Sequence, residues 1–167
     1  DILRIGPVKA FADGALGTRT AAMFDPYVDE PQNRGILLLD AEALFKLGRL
    51  TEENGLSLAV HAIGDRANHE VLDGFAKLRG YEQEKCLPAL RHRVEHVQVL
   101  HPADVRRIAD LKLVASMQPV HAPSDMLMAD RYWGDRTALA YAFQTLLHHG
   151  AQLAFGSDAP VEIPNPF

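Results

Sequence analysis

The chain has 167 residues, 47% of them hydrophobic and 23% charged, with a net charge of −5 from 17 basic and 22 acidic side chains. That is enough apolar material for one packed domain rather than a disordered segment. The acidic balance argues against nucleic acid or an anionic membrane as the main partner. The single Cys86 excludes an internal disulfide framework and a cysteine-rich zinc site, and no apolar run approaches the roughly 20 residues that span a bilayer. A soluble, cytoplasmic domain is expected. The first residue is Asp1 rather than Met, and a strand-like run follows almost at once, so a piece of a longer polypeptide is expected.

In chain order, Pro7–Ala12 reads as a strand broken by Asp13-Gly14. Ala41–Glu53 places Ala43, Leu44, Leu47 and Leu50 at helical spacing. Leu56–Ile63 is a second strand, broken by Gly64-Asp65, with Asp65 expected to cap the helix that follows. Ala67–Leu78 carries Val71, Leu72, Phe75 and Leu78 on one helical face. Arg93–Leu100 is a third strand, ended by His101-Pro102, and alternation is expected to turn Glu95 and His96 to opposite sides. Pro102–Leu111 reads as a helix with Pro in its first turn. Leu113–Gln118 is a fourth strand, ended by Pro119. Arg131-Tyr132-Trp133 falls in the loop and helix beyond it, and Thr137–His149 reads as one helix stopped by Gly150. Gln152–Ser157 is a fifth strand, closed by Asp158-Ala159-Pro160.

Strands alternating with helices predict a parallel α/β sheet. Two architectures fit. An open doubly wound sheet would be complete with five strands, but no G-x-G-x-x-G follows the first strand to mark a dinucleotide site. A (β/α)8 barrel would be incomplete, since it takes eight strands and about 250 residues.

The strand ends carry the chemistry. Lys9 lies in the first strand, His61 at the end of the second, His96 in the third and Asp158 at the close of the fifth. Singly, each has a bland explanation: a hydrogen-bonded core histidine, a snorkelling lysine, a turn aspartate. Together they gain weight, because parallel α/β folds build sites at the carboxyl ends of strands and burying these groups without a shared purpose is costly. Two imidazoles and a carboxylate suit zinc or a similar ion. A desolvated Lys9 can lose its proton and react with CO2, giving a carbamate able to bridge two cations. Cys86 has no base nearby in the sequence, and His69, His92 and His101 read as structural or surface residues.

Val8–Gly14, Gly17-Thr18-Arg19-Thr20-Ala21, His61–Ala67, Arg91–His96, Ser116–His121 and Gly156–Val161 occur in this order along the chain. In these segments the chain resembles the amidohydrolase superfamily, within it the branch of N-substituted formamide deformylase and YtcJ-like metal-dependent hydrolases. The resemblance implies a partial (β/α)8 TIM barrel in which the five strands stand as about strands 4–8. Lys9 would be a carboxylated lysine helping to hold one or two zinc ions, with His61, His96 and Asp158 as further ligands. Asp158 would also be the catalytic acid/base, and His121 would face the substrate. The implied reaction is metal-dependent hydrolysis of non-peptide C–N bonds in a small amide-type substrate.

The family's strand-1 His-x-His pair is absent here, as are strands 1–3 and its small β-sandwich, and the adjacent His148-His149 does not replace that pair. Residues 1–167 are therefore expected to be the C-terminal part of an amidohydrolase-like barrel domain. The alternative is a catalytically incomplete fragment, or a regulatory or association module of the same fold. Open strand edges predict a homo-oligomer or pairing with the missing half-barrel.

Overall fold

A computed structural model describes Leu3 and residues 5–165. Strands β1 (Val8–Phe11), β2 (Leu58–Ala62), β3 (Arg93–His96), β4 (Val114–Met117) and β5 (Gln152–Phe155) alternate with helices α1 (Ala41–Glu52), α2 (Asp65–Lys85), α3 (Arg107–Asp110), α4 (His121–Trp133) and α5 (Phe143–His148). The strands form one sheet in the order β1-β2-β3-β4-β5, and every neighbouring pair is parallel. A doubly wound sheet reverses its strand order at a switch point. This sheet never reverses, so it is an arc of a barrel. Among the described residues β1 and β5 each pair on one side only, and their terminal aromatics Phe11 and Phe155 are 55% and 44% exposed.

Alternation along the strands sorts their side chains. Ala10, Val60, Val94, Ala115 and Leu153 are register partners across the sheet and pack into the main core with Leu44, Leu72, Phe75 and Leu78 of the helices. Burying each large side chain there contributes about 1.5–3 kcal/mol. Phe11, His61, Glu95 and Ser116 form the next row and share the opposite face. The expectation that Glu95 faces away from the site is therefore corrected: it lies on the same face as His61, in an ion pair with Arg93 at 2.8 Å.

Local chemistry explains the element boundaries. The Asp40 carboxylate accepts from Ala43 N–H at 2.8 Å and caps α1. The second helix begins earlier than its apolar pattern indicates. Gly64, not Asp65, is its N-cap, and a Cβ on Gly64 would lie 2.0 Å from the Ala22 carbonyl oxygen. Asp65 instead accepts from Phe24 N–H and Arg66 N–H, tying the loop after β1 to α2. The third strand stops at His96 because His96 and Val97 both have positive φ, 75° and 48°. Pro102–Leu111 divides into a 3-10 turn, Pro102–Asp104, and the single turn of α3. Thr137–His149 is not one helix: Gly134–Leu139 is a 3-10 segment, and Tyr141 at φ 49° separates it from α5. No helix among the described residues is long and apolar enough to cross a membrane.

The amino ends of the strands are held by a buried polar network. His92, just before β3, accepts at Nδ1 from the Leu58 N–H that opens β2 and donates from Nε2 to Glu52 at 2.7 Å. Arg79 donates to both oxygens of Glu82 at 2.8 Å and to the carbonyls of Leu90 and Leu111. Burial, with Glu82 alongside, pushes Glu52 up to about 8. Glu82 is also buried, but its Arg79 hydrogen bonds hold it below the usual carboxylate range. Burial pushes His92 down to about 4. At neutral pH the network is thus a carboxylic acid, a carboxylate, a neutral imidazole and a guanidinium.

The linkage has a definite sign. A Glu52 raised in the fold contributes stability that is fully present below its unfolded value and is lost as pH rises through about 8. Above about pH 7.5, His92 is neutral both folded and unfolded and adds almost no slope. Melting temperature is therefore expected to fall from about pH 7.5 to about 9. Glu52→Gln, which keeps a donor toward Glu82, is expected to flatten that fall; parallel pH curves from thermal denaturation would refute the assignment.

Candidate functional site

The carboxyl ends of the strands surround a cavity of about 460 Å³ whose walls include Lys9, His61, His96, His121 and Asp158. All five residues singled out in the sequence therefore meet at one place. Within the cavity the tightest group is His96, His121 and Asp158, whose ligand atoms all lie within 4.8 Å of one another. His61 stands beside it, its ring centroid 4.6 Å from that of His96. Lys9, from the edge strand β1, lies over the Phe11 ring at 5.1 Å. Burial lowers the Lys9 pKa, against the pull of Glu95 and Asp158, and Arg93 lowers it further.

His61 is held from behind. Its Nε2 is 2.8 Å from the Gly14 carbonyl oxygen and 3.4 Å from Asp13 Oδ1. A carbonyl can only accept, so Nε2 carries the hydrogen and Nδ1 keeps the lone pair. Asp13 is fully buried and accepts from three backbone groups, Ile63 N–H at 3.0 Å, Gly64 N–H at 2.8 Å and Ala22 N–H at 2.9 Å. One carboxylate therefore fixes the loop after β1, the end of β2 and the histidine between them.

His96 is fixed by the opposite nitrogen. Its Nδ1 donates to Gln118 Oε1 at 2.8 Å, which leaves the lone pair on Nε2. Burial, helped by neighbouring His61, pushes His96 down to about 4, so the ring is neutral at pH 7. By strict alternation His96 would turn toward the helices, because its register partner is Ala62 of the core. Its left-handed backbone, φ 75°, marks where that alternation breaks, and the ring joins the cavity wall. Strain of this kind persists where the surroundings over-determine it.

His121 opens α4, with Nε2 3.8 Å from Asp158 Oδ2 and Nδ1 3.6 Å from Glu162 Oε1. Asp158 also has positive φ, 57°, and its side chain is 43% exposed. The donor chemistry fits a divalent cation: two imidazoles with assigned lone pairs, a third imidazole and a carboxylate, with protein acceptors orienting His61 and His96. A second close group, Glu52, Glu82 and His92, does not fit. Both His92 nitrogens and the Glu82 carboxylate are already taken by Leu58, Glu52 and Arg79.

Sequence reasoning missed Asp13 and Gln118 as supports for the histidines. Asp13 sits in an Asp-Gly pair that reads as a turn, and Gln118 meets His96 only across the β3–β4 pairing. Asp13→Asn leaves at most one acceptor oxygen for three backbone donors. It is expected to destabilise the fold by roughly 2–3 kcal/mol, as measured by urea unfolding; a loss below about 0.5 kcal/mol would show that these bonds do not organise the strand ends.

Comparison with known proteins shows the family and the fold. The amidohydrolase family profile matches residues 1–167. The chain is 39% identical over 166 residues to Protein LONG AFTER FAR-RED 3 of Arabidopsis thaliana and 38% identical over 165 residues to the putative amidohydrolase YtcJ of Bacillus subtilis (strain 168). Each match covers 98% of this chain, but only 28% and 30% of those proteins. The chain thus spans about three-tenths of their length. Among solved structures, an uncharacterized metal-dependent hydrolase from Pyrococcus furiosus superimposes with a TM-score of 0.85 at 34% identity, covering 96% of this chain and 32% of that one. Aspergillus niger ochratoxinase shares the fold alone, with a TM-score of 0.58 at 14% identity over 90% of this chain and 30% of that one. From the family profile and the identity to these relatives, the chain belongs to the amidohydrolase family.

Proposed function

We propose that this chain supplies much of the metal-holding and proton-transfer machinery of a hydrolase for non-peptide C–N bonds in small amide-type substrates. The supporting observation is the convergence of His96, His121 and Asp158, from three separate elements, within 4.8 Å, beside His61 and Lys9 in the same cavity. In this reading Lys9, His61, His96 and Asp158 hold one or two zinc ions, and His121 faces the substrate carbonyl. Burial lowers the Lys9 pKa, and the unprotonated amine is the form that reacts. Its nitrogen can add to CO2, forming a C–N bond and releasing one proton to solvent, and the resulting carbamate is an additional carboxylate-like ligand.

When bound, a divalent cation supplies Lewis acidity that brings the pKa of a held water toward about 7. The protein's own groups then do the rest. Asp158, partly exposed at the end of β5, accepts the proton of the attacking water. Oxygen adds to the carbonyl carbon, the C–N bond breaks, and the same proton goes to the departing nitrogen. Amide and water thereby become carboxylic acid and amine. Gln118 and the Gly14 carbonyl keep the lone pairs of His96 and His61 on defined nitrogens throughout.

Asp158→Ala is expected to lower kcat at least 100-fold, and Gln118→Leu to weaken divalent-metal affinity about 10–100-fold with the fold retained. An unchanged kcat in the first variant, or wild-type protein without zinc by elemental analysis after chelator-free purification, would refute the reading.

The one-sided pairing of β1 and β5 supports a second reading, association through these edges with another copy or with the rest of a barrel. Sedimentation is expected to show a species heavier than one chain, and a strictly monomeric profile at micromolar concentration would oppose it.

A further inference from the structure

Beyond His121, the wall of the cavity formed by α4 has no part in the reaction proposed above. Helix α4 presents His121, Asp125 and Met128 to the cavity at positions i, i+4 and i+7, the spacing of one helical face. Asp125 is therefore one turn from His121. Its Oδ2 accepts from the Tyr141 hydroxyl at 2.6 Å and lies 3.5 Å from Gln98 Nε2. Among the described residues its Oδ1 accepts nothing. Gln98 is 5% exposed, faces the same cavity, and its buried Oε1 has no hydrogen-bond partner. The backbone of Tyr141 donates to the Gln98 carbonyl at 2.7 Å, so the three residues are braced together. Leu16, Ile63 and Met128 supply apolar surface around them.

A buried acceptor without a donor is costly. Here it belongs to an amide whose Nε2 lies 3.5 Å from the Asp125 carboxylate, in a wall shared with the candidate ligands. Oε1 and that carboxylate cannot satisfy each other, since both are acceptors. A ligand that satisfies both must bring hydrogen-bond donors, and two N–H groups on one planar carbon suit neighbouring acceptors, one of them a carboxylate. We propose that Gln98 and Asp125, braced by Tyr141, form a subsite for a substrate group with paired N–H donors, of the amidine, guanidine or primary amide class, one helical turn from His121. The inference deepens the hydrolase reading by naming what the substrate carries besides its scissile bond. It also explains why Tyr141 adopts a left-handed backbone at φ 49°: that turn lets its backbone hold Gln98 while its hydroxyl holds Asp125.

The test uses the full metal-replete polypeptide and two probes built on one ring, benzamidine, which only donates, and methyl benzoate, which only accepts. Affinities are read by calorimetry for wild type, Asp125→Asn and Gln98→Met, with zinc content measured on every sample. Benzamidine is expected to bind at least about tenfold more tightly than methyl benzoate. Each substitution is expected to reduce that ratio, with metal content unchanged. Gln98→Met has a second readout: removing an unpartnered buried acceptor is expected to leave the melting temperature equal or higher, whereas a purely structural glutamine would lower it. Equal binding of the two probes to wild type would overturn the proposal. So would an unchanged ratio in both variants, which would leave Oε1 to an ordered water. Absent zinc with benzamidine preference intact would instead refute the hydrolase reading and leave this subsite standing.

Discussion

The site depends on the burial of Asp13. Its carboxyl group is inaccessible to water, so its oxygens must find their hydrogen-bond partners within the protein. Those bonds come from residues far apart in sequence: Ala22 in the loop after β1, and Ile63 and Gly64 at the end of β2. Satisfying one buried group therefore closes the first crossover and sets the point at which β2 stops. His61 stands within that closure, and Gly64 must lack a side chain because the Ala22 carbonyl passes so close. The exposed chemistry of the cavity rests on a buried interaction that touches no substrate.

Much of this was legible in the sequence, and the exceptions share a cause. The five strands, the parallel arrangement and the meeting of Lys9, His61, His96 and Asp158 follow from apolar runs broken by turn residues, because a parallel sheet brings its strand ends to one edge. Backbone conformation at single residues was not legible. Period-2 alternation places Glu95 and His96 on opposite faces, but the left-handed His96 and Val97 interrupt it. Both side chains therefore end on the side of the site. α4 was obscured in a different way. The sequence places a loop and helix beyond the fourth strand without bounds, and Pro123 falls in the first turn of that helix, where the missing N–H has no partner to lose. Without its starting residue, the stripe of His121, Asp125 and Met128 could not be read. Networks that join Glu52, Arg79, Glu82 and His92 across two helices and a strand have no periodic signature, so they appear only when the elements are packed.

The same residue types behave differently at the two ends of the sheet. At the amino end, Glu52, Glu82 and His92 come as close together as any metal site requires. Yet each lone pair that matters has a protein donor, and Arg79 supplies the positive charge. A cation entering there would have to displace a guanidinium and strip two buried histidine bonds, so the cluster belongs to stability. At the carboxyl end the pattern is inverted. Protein acceptors take the N–H sides of His61 and His96 and leave their lone pairs pointing to no donor. Asp158 is partly open to solvent, and the buried Gln98 Oε1 has no donor among the described residues. Proximity of ligands is equal at the two ends, but their hydrogen bonding is not: at the amino end the protein's own donors satisfy the cluster, whereas at the carboxyl end protein acceptors take the N–H sides of the imidazoles.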